Sequence, residues 1–281
     1  MNDDSIWRKP LNTTPSGSTA QILITQRYGW RRSAFTPICT ATTISAGVLI
    51  GSGTGTLACY AGSNCGTFYN ITTDVYCTDF SATVDYSTGE RYTTHTLPLG
   101  GKFVLGFINS AWLALALKGN GTWQVIGNIE LTPRSNGVLN TSPTTSTLPV
   151  FYRAINVQQI HVIPMIDADS TDTLRCRWST DNSPANANTY DECGSICSPT
   201  LPTFILYPDT CTLVYYITAP NYYAVALQIE DFYNSSSTTP MSSIPIQFLF
   251  FGVNVPTGCS TPPSIIGARP NGGLILFTMF F

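Results

Sequence analysis

The sequence predicts an all-β protein built from two antiparallel β-sandwich modules, with an extended strand at each end of the chain. Apolar residues alternate with polar or small residues along 222–232 and 242–251, which is the period of a β-strand. Residues 34–132 consist of short Thr-, Val- and aromatic-rich runs that glycines interrupt, at a spacing typical of a sandwich or barrel. No stretch has the pattern of a long amphipathic helix.

The second module is predicted to be an immunoglobulin-like sandwich, because one of its strands combines a cysteine with a tryptophan. In the run DTLRCRW, Cys176 and Trp178 share one face of the strand, whereas Arg175 and Arg177 share the other. A cystine packed against an indole is a compact core for a small sandwich.

Composition divides the chain into two modules and three connecting or terminal segments. Near the start, AQILITQRY places Ile22 and Ile24 on one strand face, and the chain ends in the apolar run LILFTMFF. The predicted divisions are an N-terminal arm with a strand that could be donated (1–29), the first module (30–132), a Pro/Ser/Thr-rich linker (133–148), the second module (149–255), and a connector with a C-terminal strand (256–281).

Low charge limits the classes of partner. Charged residues make up 10% of the chain and the net charge is −3, whereas soluble domains typically contain about 25%. The three lysines and a single short cluster of arginines argue against nucleic acid, because neutralising phosphates requires clustered basic residues. The eight-residue C-terminal run is too short to cross a bilayer, so no membrane span is expected.

N-linked sugar could solvate a surface that has so few charges. The sequence contains Asn-x-Ser/Thr acceptors at Asn12, Asn70, Asn120, Asn140 and Asn234. Glycosylation at these positions requires a secretory pathway, which predicts an extracellular, secreted protein.

The cysteine content predicts disulfides. Four cysteines fall in the first module and five in the remainder of the chain: Cys39, Cys59, Cys65, Cys77, Cys176, Cys193, Cys197, Cys211 and Cys259. Zinc is disfavoured, because no CxxC pair exists and both histidines are remote from the cysteines in sequence. Four cysteines per module allow three pairings each, and Cys259 is left over, bonded to another chain or segment or free.

The aspartates that precede the cysteine-containing strand raise the question of calcium. Asp167, Asp169 and Asp172, with Glu230 and Asp231, could offer oxygen ligands, but the run lacks the glycine and the terminal glutamate of an EF-hand loop. The favoured interpretation is that these carboxylates cap turns and pair with arginines on the polar strand face. No metal or other cofactor is therefore expected, apart from N-linked glycans.

No arrangement of residues points to catalysis. The glutamates are scattered without flanking motifs, the sequence GxSxG is absent, and GSGTG at 51–55 lacks the lysine and following helix of a phosphate-binding loop. The protein is therefore predicted not to be an enzyme.

The runs DTLRCRW, ECGSIC, YYAVALQIEDF and SSIPIQFLF, together with TTISAGVLIGSGTGTLAC and LNTSP, resemble a poorly characterised family of secreted and cell-surface proteins of aquatic invertebrates. The resemblance covers about residues 30–260. A similar two-module glycoprotein forms the protomer of freshwater extracellular helical filaments, so the resemblance implies a filament subunit. The chain departs from the family at Ser110 and Ala111, where the family places a cysteine pair, which leaves the partner of Cys259 open.

The terminal apolar strands suggest how copies would associate. Ile22 and Ile24 near the start, and Leu274 and Leu276 near the end, are each joined to a module by a polar connector. Donating such a strand to a neighbouring sheet would build a head-to-tail homopolymer. The competing expectation is that both strands pair within their own chain. The alternative function is a monomeric adhesion or carbohydrate-binding ectodomain, in which exposed aromatic residues line a sugar-binding surface.

Overall fold

A computed structural model of the protein describes residues 4–110, 113–116, 121–183, 190–197 and 203–255. The fold is all-β, as the sequence predicts. The strands of the N-terminal half are β1 (Asp4–Pro10), β2 (Thr19–Arg31), β3 (Leu49–Ile50), β4 (Thr56–Ala61), β5 (Ile71–Thr72), β6 (Val75–Ser81), β7 (Tyr86–Pro98), β8 (Lys102–Ser110) and β9 (Thr122–Glu130). Among the described residues of this half, helical structure is limited to α1 (Ala41–Ser45) and the 3-10 turns Arg32–Ala34 and Cys65–Thr67.

The first module is a sandwich of two layers that belong to one curled sheet. One layer has the order β3-β6-β7-β2-β1 and the other the order β9-β8-β4-β5. Aromatic side chains from the two layers pack against each other, with 5.3 Å between the ring centroids of Trp30 and Trp123 and 5.5 Å between those of Tyr28 and Phe107. These rings form the centre of the first core.

The second module has the strand order of an immunoglobulin-like sandwich. Its strands are β10 (Val150–Ala154), β11 (Gln158–Val162), β12 (Thr173–Trp178), β13 (Ile205–Tyr207), β14 (Thr212–Tyr216), β15 (Tyr222–Phe232) and β16 (Ser242–Val253), with 3-10 turns at Gly194–Ile196 and Pro208–Thr210. One layer is β11-β14-β13, and the other is β12-β15-β16 with β10 parallel to β16. Cys176 is buried in the core between the layers and Trp178 packs against that core, as the alternation predicts.

Strands β15 and β16 form a wall that the two modules share. The large residues of β15, such as Val225 and Leu227, face the second core, whereas Ala224 and Ala226 on the opposite face belong to the first core. Gln228 on that opposite face donates a hydrogen bond to the backbone of β9, 3.1 Å from the carbonyl oxygen of Ile126. Strand β16 pairs with β15 along most of its length, and it also pairs with segments of β9, β1 and β10. The modules are therefore packed together over both faces of one hairpin.

The predicted N-terminal arm is part of the first module. β1 pairs with β2 and β16, and β2 pairs with β7 along its whole length. Ile22 and Ile24 are 0% exposed in the core of their own chain, so the prediction that these residues form a strand available to a neighbour is wrong. The physical reason is that alternation identifies a strand but does not identify the strand with which it pairs.

The segment 133–148 is not an extended spacer. Leu139, Thr141 and Ser142 are buried, and Ser142 Oγ accepts a hydrogen bond of 2.8 Å from the backbone nitrogen of Arg8. Backbone hydrogen bonds also hold the segment, from Leu139 to Thr13, from Ser142 to Arg8 and between Thr144 and Ile166. Composition alone predicted a linker, because it does not reveal this burial.

Candidate functional site

Four disulfides brace the two modules. The pairs are Cys39–Cys77, Cys59–Cys65, Cys176–Cys211 and Cys193–Cys197, with sequence separations of 38, 6, 35 and 4 residues. Asp191 lies beside the last pair, but disulfide bonding leaves no thiolate there to bind a metal. Cys259 lies outside the described residues.

The described acceptor asparagines differ sharply in exposure. Asn12, Asn70 and Asn234 are exposed, whereas Asn140 is 3% exposed. The Nδ2 atom of Asn140, to which sugar would be attached, donates a hydrogen bond of 2.5 Å to Asp231. The prediction of Asn140 as an acceptor is therefore wrong for the folded chain, because the motif does not reveal that its amide is inside the protein. Asn120 lies outside the described residues.

Asn140 belongs to a buried cluster that joins the N-terminal strand, the 133–148 segment and the second module. We refer to this set as the arginine–carboxylate cluster, and its members are Arg8, Arg134, Asn140, Asp167, Asp169, Asp172 and Asp231. Strand β1 positions Arg8, the end of β15 positions Asp231, and the loop before β12 supplies the other three aspartates.

Arg134 and Asn140 make the central contacts of the cluster. Arg134 forms a two-point ion pair with Asp172, with one nitrogen–oxygen distance of 2.7 Å, and lies 3.1 Å from Asp169. Its guanidinium also donates to the Asn140 side-chain oxygen. Arg8 donates to the backbone oxygen of Asn140 and, at 3.0 Å, to that of Glu130. The two guanidinium groups thus hold three separate segments of the chain together.

Burial changes the proton affinities within the cluster. It raises the pKa of Asp167 to about 7, and the neighbouring carboxylates act in the same direction. Burial also raises the pKa of Asp231, although hydrogen bonds from Asn140 and Ser242 oppose the shift. Burial lowers the pKa of Arg8 to about 10, which leaves the guanidinium charged at neutral pH. Four carboxyl groups therefore face two fixed positive charges.

The geometry brings the predicted calcium candidates together but supplies them with protein partners. Oxygen atoms of Asp167, Asp172 and Asp231 lie within 4.8 Å of one another. However, Arg134 occupies both oxygens of Asp172, and both oxygens of Asp231 accept hydrogen bonds from Ser242 or Asn140. The favoured prediction of a structural role agrees with this arrangement.

The predicted arginine partners are right for Glu230, which pairs with Arg177, and wrong for the aspartates. Arg175 donates to backbone oxygens of Ser235 and Ser237, and Arg177 binds Glu192 at 2.6 Å and Glu230 at 2.9 Å. The carboxylates of the cluster are instead paired with arginines from distant parts of the sequence.

A second candidate site is an exposed apolar surface on the outer face of β11, β14 and β13. We refer to it as the apolar face, and its members and exposed fractions are Ile160 (68%), Val162 (58%), Ile205 (54%), Tyr207 (52%) and Tyr216 (36%). Ile160 and Ile205 both lie opposite Val214 in the strand register, so the three side chains form one row across the sheet. The side chains are therefore contiguous.

Strand β11 is inverted relative to an ordinary amphipathic strand. Its aliphatic residues point to solvent, while His161 points inward, with its ring centroid 4.3 Å from that of Phe151. Burial and the nearby charge of Arg153 lower the pKa of His161 to about 4, so the ring is neutral at neutral pH, and its Nδ1 lies 3.3 Å from Arg153 Nη2. Periodicity alone would assign Ile160 and Val162 to the core, which is why sequence reasoning missed the apolar face.

The remaining predicted assembly residues, Leu274 and Leu276, lie outside the described residues. Within the described part of the chain, no helix has the length and apolar character needed to cross a membrane.

Comparison with known proteins finds a family that matches the N-terminal part of the chain. Residues 6–132, slightly less than half of the chain, are similar to a family described as Integrin beta-like protein A-E, N-terminal. The matched region runs from β1 to just beyond β9, so it includes the N-terminal strands with the first module. Neither curated proteins nor solved structures gave a match to the chain. This similarity and the four disulfides point to an extracellular or cell-surface protein.

Proposed function

We propose that this protein is a structural subunit that self-associates into an extracellular glycoprotein filament or surface coat. The observation that carries the proposal is the apolar face. Contiguous exposed apolar side chains mark interaction surfaces, and this face lies on a rigid sheet in a protein with few charges to oppose association. Covering it with another copy would remove the surface from water.

The occupant that we propose is the C-terminal segment of a second copy, residues 274–281. Its sequence LILFTMFF is apolar except for Thr278, and Leu274 and Leu276 would share one face in an extended conformation. The 26 residues after Val255 can extend about 90 Å, which is enough to reach a neighbouring molecule. The segment and the apolar face are different parts of the chain, so their contact is heterologous, and such contacts propagate into filaments unless a ring closes.

Charge placed on the apolar face tests the proposal. The double substitution Ile160→Asp and Ile205→Asp changes exposed side chains and should leave the fold intact, as checked by circular dichroism and thermal melting. We expect wild-type protein to form filaments or large species by negative-stain microscopy and sedimentation, and the double variant to remain monomeric. Leu11→Asp is the matched control, because Leu11 is 53% exposed in the N-terminal region, away from β11, β14 and β13.

Removal of residues 272–281 tests the proposed occupant. The truncated chain should remain folded and monomeric, and a soluble carrier fused to residues 272–281 should bind wild-type protein but not the double variant. Polymers that persist in both the truncated chain and the double variant would contradict the proposal.

The alternative is a monomeric adhesion ectodomain, which the similarity of residues 6–132 to integrin beta-like proteins favours. Wild-type protein that stays monomeric at every concentration by sedimentation would support this alternative over self-association.

A further inference from the structure

A groove of about 340 Å³ lies between the outer face of the first module and the loop region that precedes β12. Its lining includes Trp7, Arg27, Glu90, Thr144, Ser146 and Ile166. One wall is the face of β1, β2 and β7, where Arg27 and Glu90 are opposite each other in the strand register. The other wall is fixed by a pair of backbone hydrogen bonds between Thr144 and Ile166, of 2.7 and 3.0 Å. The groove is thus formed by ordered backbone on both sides.

The polar groups of the groove are held in place by one another. Arg27 Nη1 donates a hydrogen bond of 2.6 Å to Ser146 Oγ, and Arg27 Nε lies 3.8 Å from Glu90 Oε1. The hydroxyl of Tyr92 donates a hydrogen bond of 2.6 Å to the other carboxylate oxygen of Glu90. Both charged side chains remain partly accessible, at 16% and 28% exposed. A ligand would therefore meet oriented donors and acceptors.

The remaining lining is apolar and includes an aromatic ring. Trp7, which is half-buried, and the exposed Ile166 and Pro164 flank the polar groups. The volume falls in the range of about 300–1,000 Å³ that is typical of small-molecule sites. The groove combines an apolar surface with a few directed polar groups.

We infer that this groove binds a neutral saccharide. A pyranose ring presents an apolar C–H face, which suits an indole, and hydroxyl groups that both donate and accept hydrogen bonds. The guanidinium of Arg27 supplies donors, the carboxylate of Glu90 supplies acceptors, and Ser146 and Thr144 supply hydroxyl groups that can do both.

Other ligand classes fit the groove less well. The charges of Arg27 and Glu90 cancel, so neither a phosphate nor an ammonium ion meets a net attractive charge. A purely apolar ligand would remove these two side chains from water without replacing their hydrogen bonds, which is costly. A neutral, hydroxyl-rich ligand needs no net charge in the groove and can replace the hydrogen bonds that Arg27 and Glu90 make with water. The inference does not depend on self-association.

Binding of oligosaccharides to the full-length secreted protein tests the inference. The protein is treated enzymatically to remove its own N-glycans and is then applied to an array of neutral hexose and N-acetylhexosamine oligosaccharides, with affinities measured by calorimetry. We expect at least one neutral oligosaccharide to bind, and Glu90→Gln to weaken binding at least tenfold with an unchanged melting temperature. The matched control is Glu130→Gln, because Glu130 is a similarly exposed glutamate (31%) in an ion pair on the same module, and it should bind like wild type.

Ser146→Ala provides an independent measurement if Glu90→Gln does not fold. Ser146 is exposed, and its replacement removes a hydroxyl group from the groove without altering the core. It should weaken binding several-fold.

Comparing array binding before and after deglycosylation distinguishes the source of the saccharide. Binding to the array only after deglycosylation would identify the protein's own glycans as the occupant, whereas binding before and after treatment would identify an external glycan. Absence of binding to every neutral oligosaccharide, or equal binding by wild type, Glu90→Gln and Ser146→Ala, would overturn the inference.

Discussion

Replacing Asp231 with alanine should destabilise the protein more than any substitution of an exposed acid. Asp231 is 0% exposed. One oxygen accepts two hydrogen bonds of 2.7 Å from the backbone and hydroxyl of Ser242, and the other accepts the 2.5 Å bond from Asn140. Alanine would leave these donors without their acceptor and would remove the carboxylate that acts most strongly on the charge of Arg8. Because removing one member of a buried charged network typically costs about 3–5 kcal/mol, we expect a loss of that size in the free energy of unfolding.

Urea unfolding monitored by tryptophan fluorescence measures this loss. The midpoint of unfolding should fall for Asp231→Ala. The slope of the unfolding free energy against urea concentration should stay unchanged, because the variant and the wild type expose similar surface areas on unfolding. Asp231→Asn retains an acceptor for Ser242 and should lose less. Asp209→Ala is the control, because the Asp209 side chain is 86% exposed and makes only a 3.8 Å contact with Arg175; it should change stability by about 0.5 kcal/mol or less. A loss for Asp231→Ala within about 1 kcal/mol of the control would refute the assignment of the cluster as a structural link.

Four further predictions follow from the same geometry. Between pH 4 and 7 the folded chain retains a proton on Asp167 that the unfolded chain, with its ordinary pKa of 3.8, has lost. The stability of the wild type should therefore fall as the pH rises through this window. In unfolding experiments, the stability advantage of Asp167→Asn over the wild type should grow from pH 4 to pH 7 and then stay constant. Peptide mapping by mass spectrometry should find Asn140 unmodified, because a sugar there would break the cluster; an occupied Asn140 in folded protein would contradict its burial. Removing the Cys176–Cys211 bond, which closes a separation of 35 residues, with paired alanines should cost about 4 kcal/mol in urea unfolding. EDTA should leave the melting temperature unchanged, because Arg134 occupies the oxygens of Asp172, and Ser242 and Asn140 occupy those of Asp231; a large decrease would identify a bound cation.

Sequence patterns predicted the fold class because strand alternation is a local property. The alternation along 222–232 predicts Val225 and Leu227 on one side of β15 and Ala224 and Ala226 on the other, and these are the faces observed. The sequence did not reveal that the alanine face is also buried. Small residues are compatible with a solvent-facing strand and with the close approach of a second layer, and only the three-dimensional packing distinguishes the two.

Pairings between distant segments could not be predicted in the same way. Strand β2 was identified from Ile22 and Ile24, but its partner β7 begins more than 50 residues later, at Tyr86. Register between such strands depends on how both bury their apolar faces. The same limit applies to the cluster, where Asp231 meets Asn140 and Arg8 from the opposite half of the chain. Motif reading therefore selected the right aspartates but assigned them the wrong partners.

The inverted strand β11 is costly for an isolated monomer, and this cost favours assembly. Burying an aliphatic side chain contributes about 1.5–3 kcal/mol, so leaving Ile160, Val162 and Ile205 more than half exposed forgoes on the order of several kcal/mol in total. The inward-facing His161 is held neutral by burial and packs against the rings of Phe151 and Phe248. Exchanging the two faces of β11 would bury both of its aliphatic side chains, yet the chain places them outside. The proposed contact with another copy would account for this arrangement, because the forgone burial would then be recovered at the interface.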